Sequence, residues 1–266
     1  NDWHATDINM CEALRLELDR SGGSNIAIDH QLLTTSAFLQ DGNGRASLVS
    51  DIGDLPIENI WLRVSGFGAT ATGVGTRKYI EAARELHYLN RPLIADFVGG
   101  FAGLAAGAFG AVSGISHGVG QHESFSVSTW KHKSTGNGGG TAKRIYIPDL
   151  DRFFKEDQLN AIFDAQRGRS SFGCRDKSCC PHGLEDMIEN ADAHFLIQRR
   201  KQLNDLSSVP LLRREEHFIM KTIFPAVRSA RLGVTLKIAD EKVAMAVNKA
   251  KKRLVGFEDT LYDLHE

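Results

Sequence analysis

Short apolar runs alternate with longer helical patterns along the first half of the chain. Strands are predicted where the apolar runs occur, at residues 25–28, 60–64, 92–96 and 111–115. Helices are predicted from the spacing of apolar or small residues over residues 7–19, 46–55, 76–89 and 101–109. Short strands that alternate with helices are typical of parallel sheets with helical crossovers. Because the strands are apolar at nearly every position, we expect both faces of the sheet to be covered.

The predicted fold class is α/β: a parallel (β/α) barrel or partial barrel, followed by a cysteine-rich turn and a C-terminal helical region. A closed barrel needs eight strands and about 250 residues, whereas this pattern shows only four strands. We therefore favour a truncated barrel whose first half precedes Asn1, with a smaller open sheet as the alternative. The predicted parts are the barrel-like residues 1–133, the mixed residues 134–183 and the helical residues 184–266.

The middle part combines several short features. Its glycine-rich start predicts a flexible loop, and the features after it are a strand at residues 144–148, a helix at residues 151–166 and the cysteine-rich turn. Residues 184–264 then read as three or more helices, with breaks at Pro210, Pro225 and Gly233.

Composition and charge restrict the class of protein. With 42% apolar residues and a formal charge of −1, from 32 basic and 33 acidic side chains, the chain predicts a folded core and excludes a basic coat or an acidic tail. The longest weakly polar stretch, residues 97–120, contains serines, a histidine and many glycines, so we expect no membrane span. The chain also starts without a secretory signal pattern. The expectation is a soluble cytoplasmic protein.

Polar residues follow the predicted strands, where parallel α/β folds bind their ligands. The candidate catalytic residues are Asp29, Asp96 and His117, because carboxylates and histidine can transfer protons or attack a substrate. For each of them a structural role stays open, such as a helix cap for Asp96. Arg63 interrupts an apolar strand and must be paired, either with Asp29 or Asp96 or with a substrate anion.

A Gly99-Gly100 pair precedes a helix of small residues. Bare backbone amides at a helix start can hold a phosphate or another anion, although glycines also serve close packing. Together with Arg63 and Ser65, these two glycines are the candidate substrate-binding residues.

Three of the four cysteines lie within seven residues, at Cys174, Cys179 and Cys180. Clustered cysteines near histidines bind a metal more often than they form disulfides in a reducing compartment. The spacing predicts a Zn²⁺ site completed by His182 or His194. Reduced structural thiols and a redox pair are the alternatives, and Cys11 is expected to be a small core residue.

Basic residues cluster at residues 198–201, 213–214 and 249–253, interleaved with acidic ones. Solvated helix faces explain them most simply, whereas a surface that contacts phosphates requires these helices to align.

The layout resembles the C-terminal part of tRNA-guanine transglycosylase-like proteins. The resemblance covers roughly residues 60–200 and consists of the strand and glycine turn at residues 92–100, a strand ending near Gly118, the cysteine-rich turn and a helix that carries a histidine. It implies a TIM barrel that exchanges a base in nucleic acid through carboxylate residues. It also implies a zinc ion held by three cysteines and a histidine, matched here by Cys174, Cys179, Cys180 and His194.

Three functional hypotheses follow. The first is a transglycosylase-like transferase that acts on a nucleobase or nucleic acid and contains a structural zinc. The second is a phosphate-binding barrel enzyme for a small phosphorylated ligand. The third is a non-catalytic module, stabilised by zinc, whose C-terminal helices bind a protein partner.

Overall fold

The computed structural model describes residues 2–119, 123–128 and 142–266. The flexible loop predicted at residues 134–140 lies outside these ranges. Six strands lie within these ranges: β1 (Asp29–Thr35), β2 (Asn59–Ser65), β3 (Leu93–Asp96), β4 (Gly114–Ser116), β5 (Arg144–Ile147) and β6 (Arg152–Lys155). The helices of the first half are α1 (Asp2–Arg20), α2 (Ser36–Gln40), α3 (Gly42–Gly53), α4 (Gly73–Glu85) and α5 (Gly100–Ala108).

Two helices, α6 (Glu156–Asp164) and α7 (Gly168–Phe172), precede the C-terminal part, which is helical as predicted. Its helices are α8 (Leu184–Glu189), α9 (Ala191–Ser207), α10 (Arg214–Phe218), α11 (Phe224–Thr235) and α12 (Glu241–His265). A π-helical turn, Ile219–Ile223, joins α10 to α11, and short 3₁₀ turns cover Leu86–Leu89, Pro148–Leu150 and Leu211–Arg213.

Strands β1 to β4 form one parallel sheet in chain order. The helical crossovers between them confirm the α/β prediction. A closed barrel is not formed by the described residues, in which β1 and β4 are the edges of the sheet. The register aligns Leu33, Arg63, Asp96 and Ser116 in one row across the four strands.

The two faces of the sheet differ in burial. In β2, Ile60, Leu62 and Val64 are buried, whereas the alternate residues, including Arg63, are only half-buried. The expectation of two covered faces is therefore correct for one face only. Arg63 lies on the half-buried face, where its charge can be paired without complete desolvation.

The first strand differs from its prediction. Residues 25–28 lie before β1, and the strand runs from Asp29 with alternating exposed and buried positions. Alternation between polar and apolar residues made this segment less conspicuous than the apolar run before it. As a result Asp29 is an exposed residue at the amino end of the sheet, paired in register with Asn59.

The helix predicted at residues 151–166 is also different. Its first residues form β6, which pairs antiparallel with β5, and α6 begins only at Glu156. A short apolar run fits both a helix and a buried strand, and here the pairing of β6 with β5 decides for the strand. We refer to β5 and β6 together as the hairpin.

One hydrophobic core connects the described parts of the chain. It contains buried side chains of the sheet, such as Ile60 and Leu62, and side chains of α12, such as Val247 and Phe257. None of the described helices combines the length and the apolar character that are needed to cross a membrane.

Candidate metal centre and strand-end site

Cys174, Cys179, Cys180 and His194 come together in the folded chain. Their sulfur and nitrogen ligand atoms all lie within 4.8 Å of one another. The cysteines belong to the turn between α7 and α8, and His194 lies in the first turn of α9. The predicted Cys₃His set is thus placed as a possible metal-binding cluster.

The distances within the cluster fit a tetrahedral zinc ion. With Zn–S bonds of about 2.3 Å and a Zn–N bond of about 2.0–2.1 Å, two sulfurs lie roughly 3.8 Å apart and a sulfur lies roughly 3.5 Å from the nitrogen. The Sγ atoms of Cys179 and Cys180 are 3.7 Å apart. The Nδ1 atom of His194 is 3.3 Å from Cys179 Sγ and 3.4 Å from Cys180 Sγ. All four cysteines are free thiols, so the cluster is not a disulfide.

The orientation of His194 favours metal binding. Its Nε2 lies 3.0 Å from the carbonyl oxygen of Tyr146 in β5. A carbonyl can only accept, so Nε2 carries the hydrogen and Nδ1 presents its lone pair to the two sulfurs. Metal-ligating histidines are oriented by a hydrogen bond of this kind. A lone pair can accept from only one thiol, whereas an ion would explain why the two sulfurs are nearly equidistant from Nδ1.

Asp176 shapes the cysteine turn. Its carbonyl oxygen accepts hydrogen bonds from the amides of Cys179 and Cys180, at 3.0 and 2.7 Å. Its carboxylate accepts from the amide and hydroxyl of Ser178 and is paired with Lys201. Lys201 and Ser178 together lower the pKa of Asp176 to about 2. The turn is therefore anchored to α9, the helix that supplies His194.

Burial sets the protonation of the cluster residues. It raises the pKa of the Cys174 and Cys180 thiols and lowers the pKa of His194. The histidine is thus kept neutral, as a ligand must be, and thiols of this kind become thiolates when a cation coordinates them. Gln198 lies with its Nε2 atom 3.8 Å from Cys174 Sγ, where it can stabilise a thiolate.

His182 is not part of the cluster. It is exposed, and its backbone amide and ring contact Asp186 in the first turn of α8. The choice between His182 and His194 is decided by the fold in favour of His194. Cys11 lies apart, half-buried against the core, with its sulfur 3.5 Å from His30 Nδ1.

At the carboxyl ends of the strands, Arg63 and Asp96 form the predicted pair. Arg63 donates to Asp96 Oδ2 from Nη2 at 2.6 Å and from Nε at 2.7 Å. Gln31 donates to the same oxygen at 3.0 Å. The rings of Phe97 and Phe125 lie 4.5 and 5.2 Å from the guanidinium carbon of Arg63. Of the partners left open for Arg63, the structure selects Asp96.

The other strand-end candidates are only partly brought together. Ser65 Oγ accepts a hydrogen bond from the amide of Val127, so this side chain holds a loop. His117 follows β4 and is half-buried, with Nδ1 2.9 Å from the Gly118 carbonyl oxygen. Asp29 is the first residue of β1 and lies at the amino ends of the strands, whereas this site lies at their carboxyl ends. The prediction that Asp29 belongs to the site is therefore wrong.

The amides after β3 are not free for a ligand. Glu123 Oε1 accepts from the Gly100 amide at 2.9 Å, and Asp151 Oδ2 accepts from the Phe101 amide at 2.8 Å. A Cβ on Gly99 would lie 2.3 Å from Glu123 Oε1, so this glycine serves close packing. The prediction of an open anion cradle at Gly99 and Gly100 is wrong, because carboxylates of the chain itself occupy the start of α5.

The same two carboxylates belong to a buried network of charges that the sequence did not reveal. Arg199 Nη2 lies 2.9 Å from Glu123 Oε1 and 3.5 Å from Asp151 Oδ1. Arg253 Nη2 lies 3.0 Å from Asp151 Oδ2, and the Tyr146 hydroxyl donates to Asp151 at 2.8 Å. We call these five residues the buried network.

One signal in the sequence points to this network. Arg199 lies four residues after the apolar Phe195 and therefore on the same face of α9. A buried arginine needs a carboxylate partner. The pattern could have predicted a buried ion pair, but not that the partners are Glu123 and Asp151, 76 and 48 residues earlier in the chain.

Comparisons with known protein families, with curated protein sequences and with solved structures find no match to this chain.

Proposed function

We propose that the protein binds one structural zinc ion through Cys174, Cys179, Cys180 and His194, and that this ion holds the cysteine turn, α9 and the hairpin together. The observation that carries this is the set of four convergent ligand atoms. Four protein ligands close the tetrahedron, which is typical of structural zinc, whereas catalytic zinc keeps a position for water.

The metal would join three parts of the fold. The cysteine turn supplies three thiolates, α9 supplies the histidine, and the hairpin is linked through the hydrogen bond from His194 to Tyr146. Zinc is favoured over magnesium or calcium because thiolate and imidazole ligands suit soft or borderline metals.

Elemental analysis of the purified protein tests this proposal. We expect close to one zinc ion per chain in the native protein. Cys180→Ser should lose the metal and lower the melting temperature by roughly 10 °C, since a loss of about 3 kcal/mol in a domain of this size shifts Tm by about 2–4 °C per kcal/mol.

Two matched controls belong to this experiment. Cys11→Ser removes a thiol outside the cluster, and His182→Ala removes an exposed imidazole near it. Both should keep zinc and stability, whereas His194→Ala should behave like Cys180→Ser. A native protein without zinc, or a Cys180→Ser protein with full zinc content, would contradict the proposal.

A second candidate function is a transglycosylase-like enzyme on a partial barrel. Its support is the placement of His117 Nδ1 3.9 Å from Glu123 Oε1 near the carboxyl end of β4. Burial raises the pKa of Glu123 against the opposing effect of Arg199, as suits a group that exchanges protons. Asp96, held by Arg63 and Gln31, would position substrate rather than attack it.

Incorporation of a labelled free base into transfer RNA tests this second candidate. If His117 transfers a proton, His117→Ala should reduce incorporation by about 100-fold or more. Asp29→Asn, which changes a residue at the amino ends of the strands, is the control and should incorporate the base at the normal rate. No incorporation by the native protein would refute the enzymatic candidate and leave the zinc proposal standing.

A further inference from the structure

A cavity of about 940 Å³ opens between the start of α4, the hairpin and α12. We call it the basic groove, because five cationic side chains line it: Arg144, Arg152, Lys249, Lys252 and Arg253. They come from segments about 100 residues apart in the sequence. The fold thus aligns the basic stretch at residues 249–253 with arginines of the hairpin.

The carboxylates of the lining pair with Arg253 but with none of the other four cations. Glu123 and Asp151 also reach the groove, but both belong to the buried network and bind Arg199 or Arg253. Asp259 is the remaining acidic side chain of the lining. Within the described ranges, no carboxylate lies at ion-pair distance from Arg144, Arg152, Lys249 or Lys252.

Arg152 lies near two other cationic side chains in this arrangement. It is half-buried, and burial together with the like charges of Arg253 and Arg144 lowers its pKa. Adjacent guanidinium groups repel each other unless an anion lies between them. Such clusters are typical of sites that recognise phosphate, since the guanidinium group matches two phosphate oxygens.

The rest of the lining is also suited to a phosphorylated ligand. Helix α4 spans 13 residues and begins at Gly73 in the wall of the groove, where the helix dipole favours an anion. Val74 and Phe153 add apolar surface beside the cations. The volume lies within the range of about 300–1,000 Å³ for small-molecule and cofactor sites.

We propose that the basic groove binds a ligand through phosphate groups, either a free nucleotide or the backbone of a single-stranded nucleic acid. Arg144 and Arg152 hold one side of the phosphate, and Lys249 and Lys252 approach it from α12. Arg253 stays bound to Asp151 and fixes the floor of the groove. This inference is independent of the zinc site and of any catalytic role for His117.

Binding measurements on the purified full chain test the proposal. The probes are ADP, adenosine and a labelled oligoribonucleotide of about 12 nucleotides, a length within the site sizes of single-strand binders. We expect ADP or the oligonucleotide to bind and adenosine not to bind. Tight ADP binding that displaces the oligonucleotide identifies a nucleotide site, whereas binding of the oligonucleotide alone identifies a nucleic-acid backbone site.

The variant K249E/K252E should weaken binding by at least about tenfold, because two phosphate contacts become repulsive. For the oligonucleotide, the slope of log K against log salt should also become less steep by roughly 1.4. K249Q/K252Q should show a smaller loss in the same direction. Lys249 and Lys252 are exposed, so an unchanged melting temperature is expected for both variants.

The control K221E/K237E changes the net charge by the same amount at exposed lysines outside the groove. It should bind like the native protein. The proposal is overturned if neither ADP nor the oligonucleotide binds. It is also overturned if K249E/K252E binds normally, or if K221E/K237E loses as much affinity as K249E/K252E.

Discussion

Asp151 links four elements of the fold through one buried carboxylate. It accepts from the Phe101 amide at the start of α5 and from the Tyr146 hydroxyl in β5. It is also paired with Arg199 of α9 and Arg253 of α12. Its backbone has a positive φ of 43°, a conformation that few non-glycine residues adopt and that places the side chain among these partners.

We predict that Asp151→Asn destabilises the protein by about 3–5 kcal/mol, because an amide leaves the buried guanidinium group of Arg199 and the half-buried one of Arg253 without this counter-charge. Chemical denaturation measures the change. Asp263→Asn, which removes an exposed carboxylate of α12, is the matched control and should change stability by less than about 0.5 kcal/mol. Equal stability of the two variants would show that the network contributes no net stabilisation.

Asp151 should also make the stability of the protein depend on pH. Burial alone would raise the pKa of Asp151, but the guanidinium groups of Arg253 and Arg199 outweigh it and the pKa is lowered. A lowered pKa contributes stability above the usual value of about 3.9, and this contribution is lost as the pH falls below it. The difference in Tm between native and Asp151→Asn protein should therefore be constant above about pH 5 and shrink below about pH 4.

At the scale of elements, α4 and α12 pack with direct backbone contact. A Cβ on Gly73 would lie 2.1 Å from the carbonyl oxygen of Gly256, whereas a Cβ on Gly256 would meet no atom within 4 Å. The two glycines face the same junction but have different roles. Gly73 permits the close approach, and Gly256 only adds conformational freedom to the unfolded chain.

We predict opposite effects for two alanine substitutions at this junction. Gly73→Ala should destabilise the protein by about 1–3 kcal/mol, because the backbone of α12 must shift. Gly256→Ala should stabilise it by about 0.5–1 kcal/mol, since glycine is unfavourable inside a helix. Urea unfolding of the two variants compares them directly. Stabilisation by both would mean that the helices separate without cost.

The elements also show what the sequence could predict. β2 and β3 were predicted within about one residue because both are apolar and bounded by polar or turn residues. β1 was misplaced because its buried residues, His30 and Leu32, alternate with polar ones. β6 was missed because its partner is another strand, which local spacing does not encode.

The candidate site was predictable to a similar extent. The cysteines are close in sequence, so their chemistry was visible, whereas the choice of His194 required the packing of α9 against β5. The basic groove required α12 to lie beside the hairpin, a contact between segments about 100 residues apart. Contacts at this separation depend on the tertiary fold and leave little local signal.

At the scale of the whole molecule, the Cys₃His cluster and the buried network are connected through the hairpin. The carbonyl oxygen of Tyr146 accepts a hydrogen bond from His194, and its hydroxyl donates one to Asp151. Its ring packs against those of Phe153 and Phe195, with ring centroids 5.1 and 5.4 Å apart. Neither hydrogen bond of Tyr146 involves a strand of the parallel sheet, which meets the hairpin in the shared hydrophobic core. Removal of the proposed zinc ion should therefore affect the cysteine turn and the hairpin first.

Chelation of the metal tests this connection by hydrogen exchange. We predict that protection falls at residues 174–183 and in the hairpin, because the thiols separate and His194 no longer holds Tyr146 in place. Amides of β2 and β3 should keep their protection, since local opening follows cooperative units rather than the whole chain. Uniform loss of protection would make the metal necessary for the entire fold, and unchanged exchange at the cysteine turn would show that the metal does not stabilise it.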